Sequence, residues 1–196
     1  MKYKDIYEDL YDNGYHSDYN LCHTTKMFPI VGKHLERGKT ILDIGCSHGT
    51  AVLELQRAGY LASGIDISQK AIDLCNKRGI PGCLQSSVID LPYEDNSLDA
   101  IITSDVLEHL DEKEVVPAIE SMSRVLKKNG LAFCTISTVP EQNRSFDSIA
   151  KKHGLQNLHT FVATYESWYD LLITYFDIKQ LVGSTQTSFF AVLEKK

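Results

Sequence analysis

Residues Ile41 to Thr50 read "ILDIGCSHGT". An apolar run ends on an acid, Asp43, and then falls into glycine, serine and histidine. A strand buried on both faces of a parallel sheet is apolar throughout rather than alternating, and "TILDIG" (40–45) has that character. Gly45 and Gly49 let the chain turn sharply and let a ligand touch the backbone. A plain strand-to-helix turn needs one glycine and no acid, so this turn reads as the floor of a pocket.

The same rhythm of strand, turn and helix continues on the carboxyl-terminal side. "TAVLELQRAG" (50–59) reads as a helix stopped by Gly59, and "LASGIDIS" (61–68) as a second strand closing on Asp66. Ser68 is placed to cap the helix "QKAIDLCNKRG" (69–79). "GCLQSS" (82–87) is a third strand and "SLDAIITS" (97–104) a fourth, followed by a helix over "EVVPAIESMSRVLKKNG" (114–130) and a fifth strand, "LAFCTIS" (131–137). "TYESWYDLLITY" (164–175) reads as helical. "FDIKQLVG" and "SFFAVLEK" read as two strands whose link, "STQT", is too short for a helical crossover, which makes them an antiparallel hairpin. The pattern predicts an α/β, doubly wound, Rossmann-like sheet of about seven strands, with ligands at the carboxyl ends of its strands. One domain is expected over 1–196: a helical cover over 1–38 and a cofactor-binding core over 39–196.

The chain has 196 residues, 43% hydrophobic and 23% charged, enough to bury a sizeable core. A net charge of −6 argues against a grip on nucleic-acid phosphates. The start, "MKYKDIYEDLYDNGYH", lacks the apolar segment of a signal peptide, and no stretch approaches membrane-spanning length. The five cysteines, Cys22, Cys46, Cys75, Cys83 and Cys134, form no C-x-x-C pair. They read as reduced thiols in a cytoplasmic protein, without zinc-ligand spacing.

Two nucleotide-binding motifs are disfavoured. A dinucleotide fingerprint needs glycine where the chain has Ser47 and Thr50, and a P-loop needs a Gly-Lys-Ser/Thr that does not follow. Asp66, at the tip of the second strand, is placed to accept both hydroxyls of a ribose, or else is a helix-capping acid.

On these residues the sequence resembles the class I S-adenosylmethionine-dependent methyltransferases from Lys39 onward. "DIGCSHG" (43–49) meets the family's acid-x-Gly-x-Gly-x-Gly pattern with Ser47 at the middle glycine. "LPYEDNSLDAIITSDVLEHL" (91–110) is similar to the fourth-strand segment, "SRVLKKNGLAFCTIS" (123–137) to the stretch entering the fifth strand, and "SWYDLLITYFDI" (167–178) to the helix before the terminal hairpin. The resemblance implies S-adenosyl-L-methionine as cofactor. Its methionine end would lie over Asp43, Gly45, Cys46, Ser47 and Gly49, its ribose at Asp66 and its adenine beside Ile67. Where the family often has an acid before the "LP" pair, this chain has Ser87, so Ser87 and Val88 stand in through hydroxyl and backbone, with Asp90 a misaligned substitute. Ser104 closes the cofactor set at the end of the fourth strand.

Methyl transfer from a sulfonium is a direct displacement, so the protein chiefly aligns the acceptor and removes a proton where needed. If a helix begins at "SDVLEHL" (104–110), Asp105, Glu108 and His109 share a face. His109 is then a candidate base; alternatively, the set resembles the segment of ubiquinone-pathway O-methyltransferases that holds a divalent cation, which would suit Mg or Mn. A third reading has Glu108 and His109 bracing the loop. His159 is a second candidate base or a packing histidine. Arg144 is either an anion clamp or surface; Tyr11, Tyr15, His16 and His23 belong to the cover; Trp168 is a core or pocket-wall residue. The leading expectation is a methyltransferase acting on a small or sugar-like acceptor at oxygen, without nucleic acid or membrane. N-methylation, a protein or RNA acceptor, and a non-catalytic S-adenosylmethionine-binding regulator are the alternatives.

Overall fold

The structure, a computed structural model, describes residues 2–15, 23–141, 144–182 and 187–196. His16, Cys22 and most of the "STQT" link lie outside the described residues, as do the side chains of His23 and Arg144. Seven strands form one sheet: β1 (Thr40–Ile44), β2 (Leu61–Asp66), β3 (Cys83–Gln85), β4 (Leu98–Ser104), β5 (Leu126–Ser137), β6 (Phe176–Val182) and β7 (Ser188–Lys195), in the order β3-β2-β1-β4-β5-β7-β6. The first five strands run parallel, and β7 inserts antiparallel between β5 and β6. Strand order reverses between β1 and β4, which opens a crevice at their carboxyl ends.

Alternation along the central strands explains their unbroken apolar runs. Leu42 and Ile101 pack into one core with Val115, Ile119 and Trp168, whereas Ile41, Ala100 and Ile102 face the other core with Val31, Val52 and Ile72. Both faces of the sheet are covered by helices, α5 (Glu112–Val125) and α7 (Tyr165–Leu172) on the first, and α2 (Phe28–His34), α3 (Thr50–Arg57) and α4 (Gln69–Lys77) on the second. Ser68 caps α4, its hydroxyl accepting from the Lys70 and Ala71 amides.

The helix expected through Gly130 stops earlier. α5 ends at Val125, and "LKKNG" belongs to β5. Leu126 is fully buried in extended conformation and pairs with Leu98, after which Ala100 pairs with Leu131, so the intervening residues form an excursion closed by Asn129 at φ 62°. Asparagine tolerates that left-handed backbone better than most residues. The Lys195 ammonium, which donates to the Leu126 carbonyl at 2.7 Å, pins the helix-to-strand switch.

The amino-terminal cover is split. α2 packs on the sheet, but α1 (Lys2–Asp12) lies across the carboxyl ends of the strands, with Tyr3, Ile6 and Leu10 buried against Ala150 of α6 (Asp147–Lys152) and against Leu155 and Leu158. Polar contacts hold the carboxyl-terminal half of α1: Lys70 meets Asp12 and Glu8, and Lys152 and His153 meet Asp9 at 2.6 and 2.7 Å. Among the described residues no helix is long and apolar enough to cross a membrane.

Candidate active site

The loop after β1 and the tip of β2 form one hydrogen-bonded unit. Gly45 and Cys46 both donate to the Ile65 carbonyl at 2.8 Å, and the Ser47 amide donates to Asp66 Oδ2 at 2.9 Å. Asp66 Oδ1 accepts from the Ser68 amide at 3.0 Å. Burial raises the Asp66 carboxyl to about 6, against the lowering effect of those two amides. Gly45 has φ 74°, and a Cβ there would sit 2.6 Å from Val106 Cγ2, so backbone conformation and the close approach of Val106 both require glycine.

Above this unit is a cavity of ≈ 780 Å3, within the range of pockets that hold small ligands. Of the residues expected at a cofactor, Gly45, Cys46, Ser47, Asp66, Ile67, Ser87, Val88 and Ser104 line it. Asp43 and Gly49 do not. Asp43 is 1% exposed behind the loop, its Oδ1 without a hydrogen-bond partner, and burial followed by the neighbouring Cys83 and Asp66 pushes its carboxyl well up. Gly49 starts α3 in left-handed conformation against Cys75 and Ile80. Asp90 is exposed and Trp168 fully buried in the core, both away from the cavity.

The helix anticipated over "SDVLEHL" is a single 3-10 turn, Leu107–His109, because Asp105 takes φ 54° and breaks the register. Asp105, Glu108 and His109 therefore do not share a helical face. Nor do they form the group of ligand atoms close enough for a metal ion; among the described residues that group is Cys46, Cys75 and Cys83. The cysteines that sequence spacing kept apart are thus brought together by the fold.

Asp105 and His109 do line the cavity, while Glu108 turns inward. Glu108 Oε1 accepts from the Ser137 amide at 2.7 Å and ties the turn to the end of β5; its Oε2 is buried without a partner. Burial, then the charge of Asp105, raises Glu108 from 4.5 to about 8. A folded-state value above the unfolded one means that the native state holds the proton longer, so this group's contribution to stability falls as pH rises from about 4.5 to about 8. Glu108→Gln keeps an acceptor for Ser137 and removes the titration. It is expected to leave Tm at pH 5 little changed and to stabilise the protein at pH 9 by roughly 4 kcal/mol at most, seen as a flatter Tm-against-pH curve. Equal slopes for the two proteins would refute the assignment.

His109 and His159 meet edge to face, their ring centroids 4.7 Å apart. His109 Nδ1 donates to the Leu158 carbonyl at 3.1 Å, and His159 Nδ1 to the Val139 carbonyl at 2.7 Å. The His159 Nε2 lies 3.5 Å from Glu141 Oε2. Burial alone lowers the His159 imidazolium, but the Glu141 carboxylate and the Val139 carbonyl outweigh it and hold the ring above the ordinary histidine range.

The roof is aromatic. Tyr3, Tyr7, Tyr11, Tyr15 and Phe146 line the cavity, with edge contacts from Tyr7 to His109 (6.1 Å) and from Tyr15 to Phe146 (5.3 Å). Sequence reading found Tyr11 and Tyr15 but missed Tyr3, Tyr7, Glu141 and His48. The tyrosine signal was present, since residues 3, 7, 11 and 15 recur at the helical spacing that puts side chains on one face. The Tyr3 hydroxyl fastens the roof by donating to Asp111 Oδ1 at 2.7 Å, beside Thr160 Oγ1 at 3.0 Å. Tyr3→Phe is expected to cost about 1 kcal/mol of stability and to raise amide exchange across α1 while sparing the sheet; unchanged exchange in α1 would show that these bonds do not anchor it.

A seven-stranded sheet of this order, with an antiparallel carboxyl-terminal insertion and a glycine loop bonded to an acid at the second strand tip, defines the class I S-adenosylmethionine-dependent methyltransferase fold. Residues 42–134 match the family model described as a methyltransferase domain. A curated relative from Arabidopsis thaliana, a tRNA (carboxymethyluridine(34)-5-O)-methyltransferase, is 34% identical over 60% of this chain and 30% of its own length. The 27-O-demethylrifamycin SV methyltransferase of Amycolatopsis mediterranei is 30% identical over 49% of this chain and 38% of its own. The chain thus spans 30% and 38% of the length of these relatives. Among solved structures, the magnesium protoporphyrin IX methyltransferase of Synechocystis PCC 6803, solved with bound SAH, superposes at a TM-score of 0.72 with 17% identity, covering 98% of both chains. A protein from Pyrococcus horikoshii OT3 also gives 0.72, at 19% identity over 91% of this chain and 94% of its own.

Proposed function

We propose that this chain binds S-adenosyl-L-methionine and transfers its methyl group to a small-molecule acceptor, at oxygen. The observation that carries this reading is the cavity itself, floored by the Asp66-bonded glycine loop, lined by tyrosines and flanked by the His159–Glu141 pair. The residues present fit the cofactor. Gly45 exposes backbone where any side chain would meet Val106, and each Asp66 oxygen already fixed by one amide keeps a second lone pair for a hydroxyl. Gly45, Cys46 and Ser47 would hold the methionine end, Asp66 the ribose, Ile67, Ser87 and Val88 the adenine, and Ser104 the region of the sulfur. When bound, the cofactor supplies an electrophilic methyl on a cationic sulfur.

The lining favours that charge. Asp66, Asp105, Glu114 and Glu141 contribute carboxyl groups, and the tyrosine faces offer further attraction to a cation. The same carboxylates disfavour a polyphosphate chain as acceptor. His159, with Nδ1–H committed to the Val139 carbonyl, takes the acceptor's proton at Nε2, and Glu141 stabilises the imidazolium that results.

A second reading, an RNA acceptor, is favoured by the curated relatives named as tRNA methyltransferases. One experiment separates them. Calorimetry with S-adenosylmethionine establishes binding, and transfer of labelled methyl to metabolite and RNA fractions identifies the acceptor. Label in the metabolite fraction supports the first reading, label in RNA replaces it with the second, and no binding by folded protein overturns both.

A further inference from the structure

The thiols of Cys46, Cys75 and Cys83 form a cluster that the chemistry proposed above does not use, since Cys46 enters it only as part of the cavity floor. It draws on three separate elements: Cys46 in the loop after β1, Cys75 on α4 and Cys83 on β3. Their sulfurs all lie within 4.8 Å of one another. Cys75 is fully buried, Cys46 4% exposed and Cys83 half-buried, so the cluster is screened from bulk water but reachable on one side. The spacing suits one tetrahedral ion, since zinc–thiolate bonds of about 2.3 Å place sulfurs about 3.8 Å apart.

Two further features are built around these sulfurs. A Cβ at Gly64 would lie 2.8 Å from Cys46 Sγ, and one at Gly49 would lie 2.9 Å from Cys75 Sγ. Both positions lack the side chain that would push a sulfur out of the group. An oxygen donor is also in place, because Cys46 and Cys75 both point at the Ser47 carbonyl, 3.8 and 3.2 Å away. Three sulfurs and a neighbouring oxygen are a donor set for a soft, thiophilic cation rather than for Mg or Mn. A disulfide between any two would leave the third thiol stranded in the same space.

We infer that Cys46, Cys75 and Cys83 form a binding site for one thiophilic divalent cation of the zinc class, behind the glycine loop. The ion replaces the thiol protons, which pass to solvent, and no oxidant is required. Because Cys46 belongs to the cavity floor while its sulfur points away toward Cys75 and Cys83, the ion ties the loop to α4 and β3 from behind. It is placed to stiffen the loop and not to touch an acceptor.

The test uses the full chain, reduced and stripped of metal, titrated with Zn2+ and with Cd2+ as a spectroscopic probe. One equivalent of Cd2+ should raise a thiolate charge-transfer band in the near ultraviolet. Cys75→Ser and Cys83→Ser should each lower that band by about a third and weaken Zn2+ binding by no less than the roughly tenfold that loss of a supporting partner costs. The double variant Cys22→Ser, Cys134→Ser should bind as the unaltered chain does. In the unaltered chain, bound Cd2+ should protect Cys83 from alkylation until a chelator removes it, which gives a readout that does not depend on any variant folding. Absence of a one-equivalent band, or a band that follows Cys22 and Cys134 instead, overturns the site, and alkylation of Cys83 unaffected by Cd2+ does the same.

Discussion

Asp66→Ala is expected to weaken S-adenosylmethionine binding by roughly two orders of magnitude or more, because two charge-assisted hydrogen bonds to ribose hydroxyls are lost together. The effect has a second part. Asp66 also holds the Ser47 and Ser68 amides, at 2.9 and 3.0 Å, so its removal frees the loop that would carry the methionine end. Asp66→Asn separates the two contributions, since its amide NH2 must face one of two backbone N–H donors and can accept at only one atom. A loss nearly as large as that of alanine is therefore expected. The unaltered protein should lose affinity as pH falls through about 6, the value to which burial raises this carboxyl, whereas the Asn variant should show no such step. Calorimetry between pH 5 and 8, with thermal melts confirming folded protein, measures both. Affinity within threefold of the unaltered chain for Asp66→Ala would sink the ribose assignment.

Most of the sheet was legible because its cause is local. "ILDIG" and "DAIITS" are apolar without alternation, as two buried faces demand, and Ser68 precedes a helix whose first amides it caps. The terminal hairpin followed from a link too short to cross the sheet. The run 126–130 was misread because its lysines and Gly130 look like a helix end, while the deciding facts are distant: Leu98 beside Leu126 and Lys195 on the Leu126 carbonyl. The site divides in the same way. Gly45 and Ser47 directly follow one strand and Asp66 ends the adjacent one, so a short local pattern marks them. Glu108 on Ser137, Glu141 beside His159 and the three-cysteine group join segments that no spacing rule connects.

His159→Asn is expected to lower kcat/KM by about 10²–10⁴-fold, the usual contribution of a positioned general base, with cofactor affinity little changed. The pH profile distinguishes this from damage to packing. Rate should rise with pH and level off above the His159 value, which the structure holds above the ordinary histidine range through Glu141 and Val139 against the effect of burial. Glu141→Gln removes the carboxylate that stabilises the imidazolium, so the rising limb should move to lower pH, while the Val139 contact keeps the ring oriented. His109 also lines the cavity, but its Nδ1 is fixed to Leu158 and its ring packs against His159 at 4.7 Å. His109→Asn should therefore reduce kcat as a positioning change and leave the limb set by His159 in view, displaced by less than Glu141→Gln displaces it. Histidine titration by NMR tests the same point without an acceptor: the His159 resonance should titrate above about 6.5 and shift downward in Glu141→Gln. A His159 resonance indifferent to Glu141, together with an acid limb that disappears in His109→Asn, would transfer the base to His109.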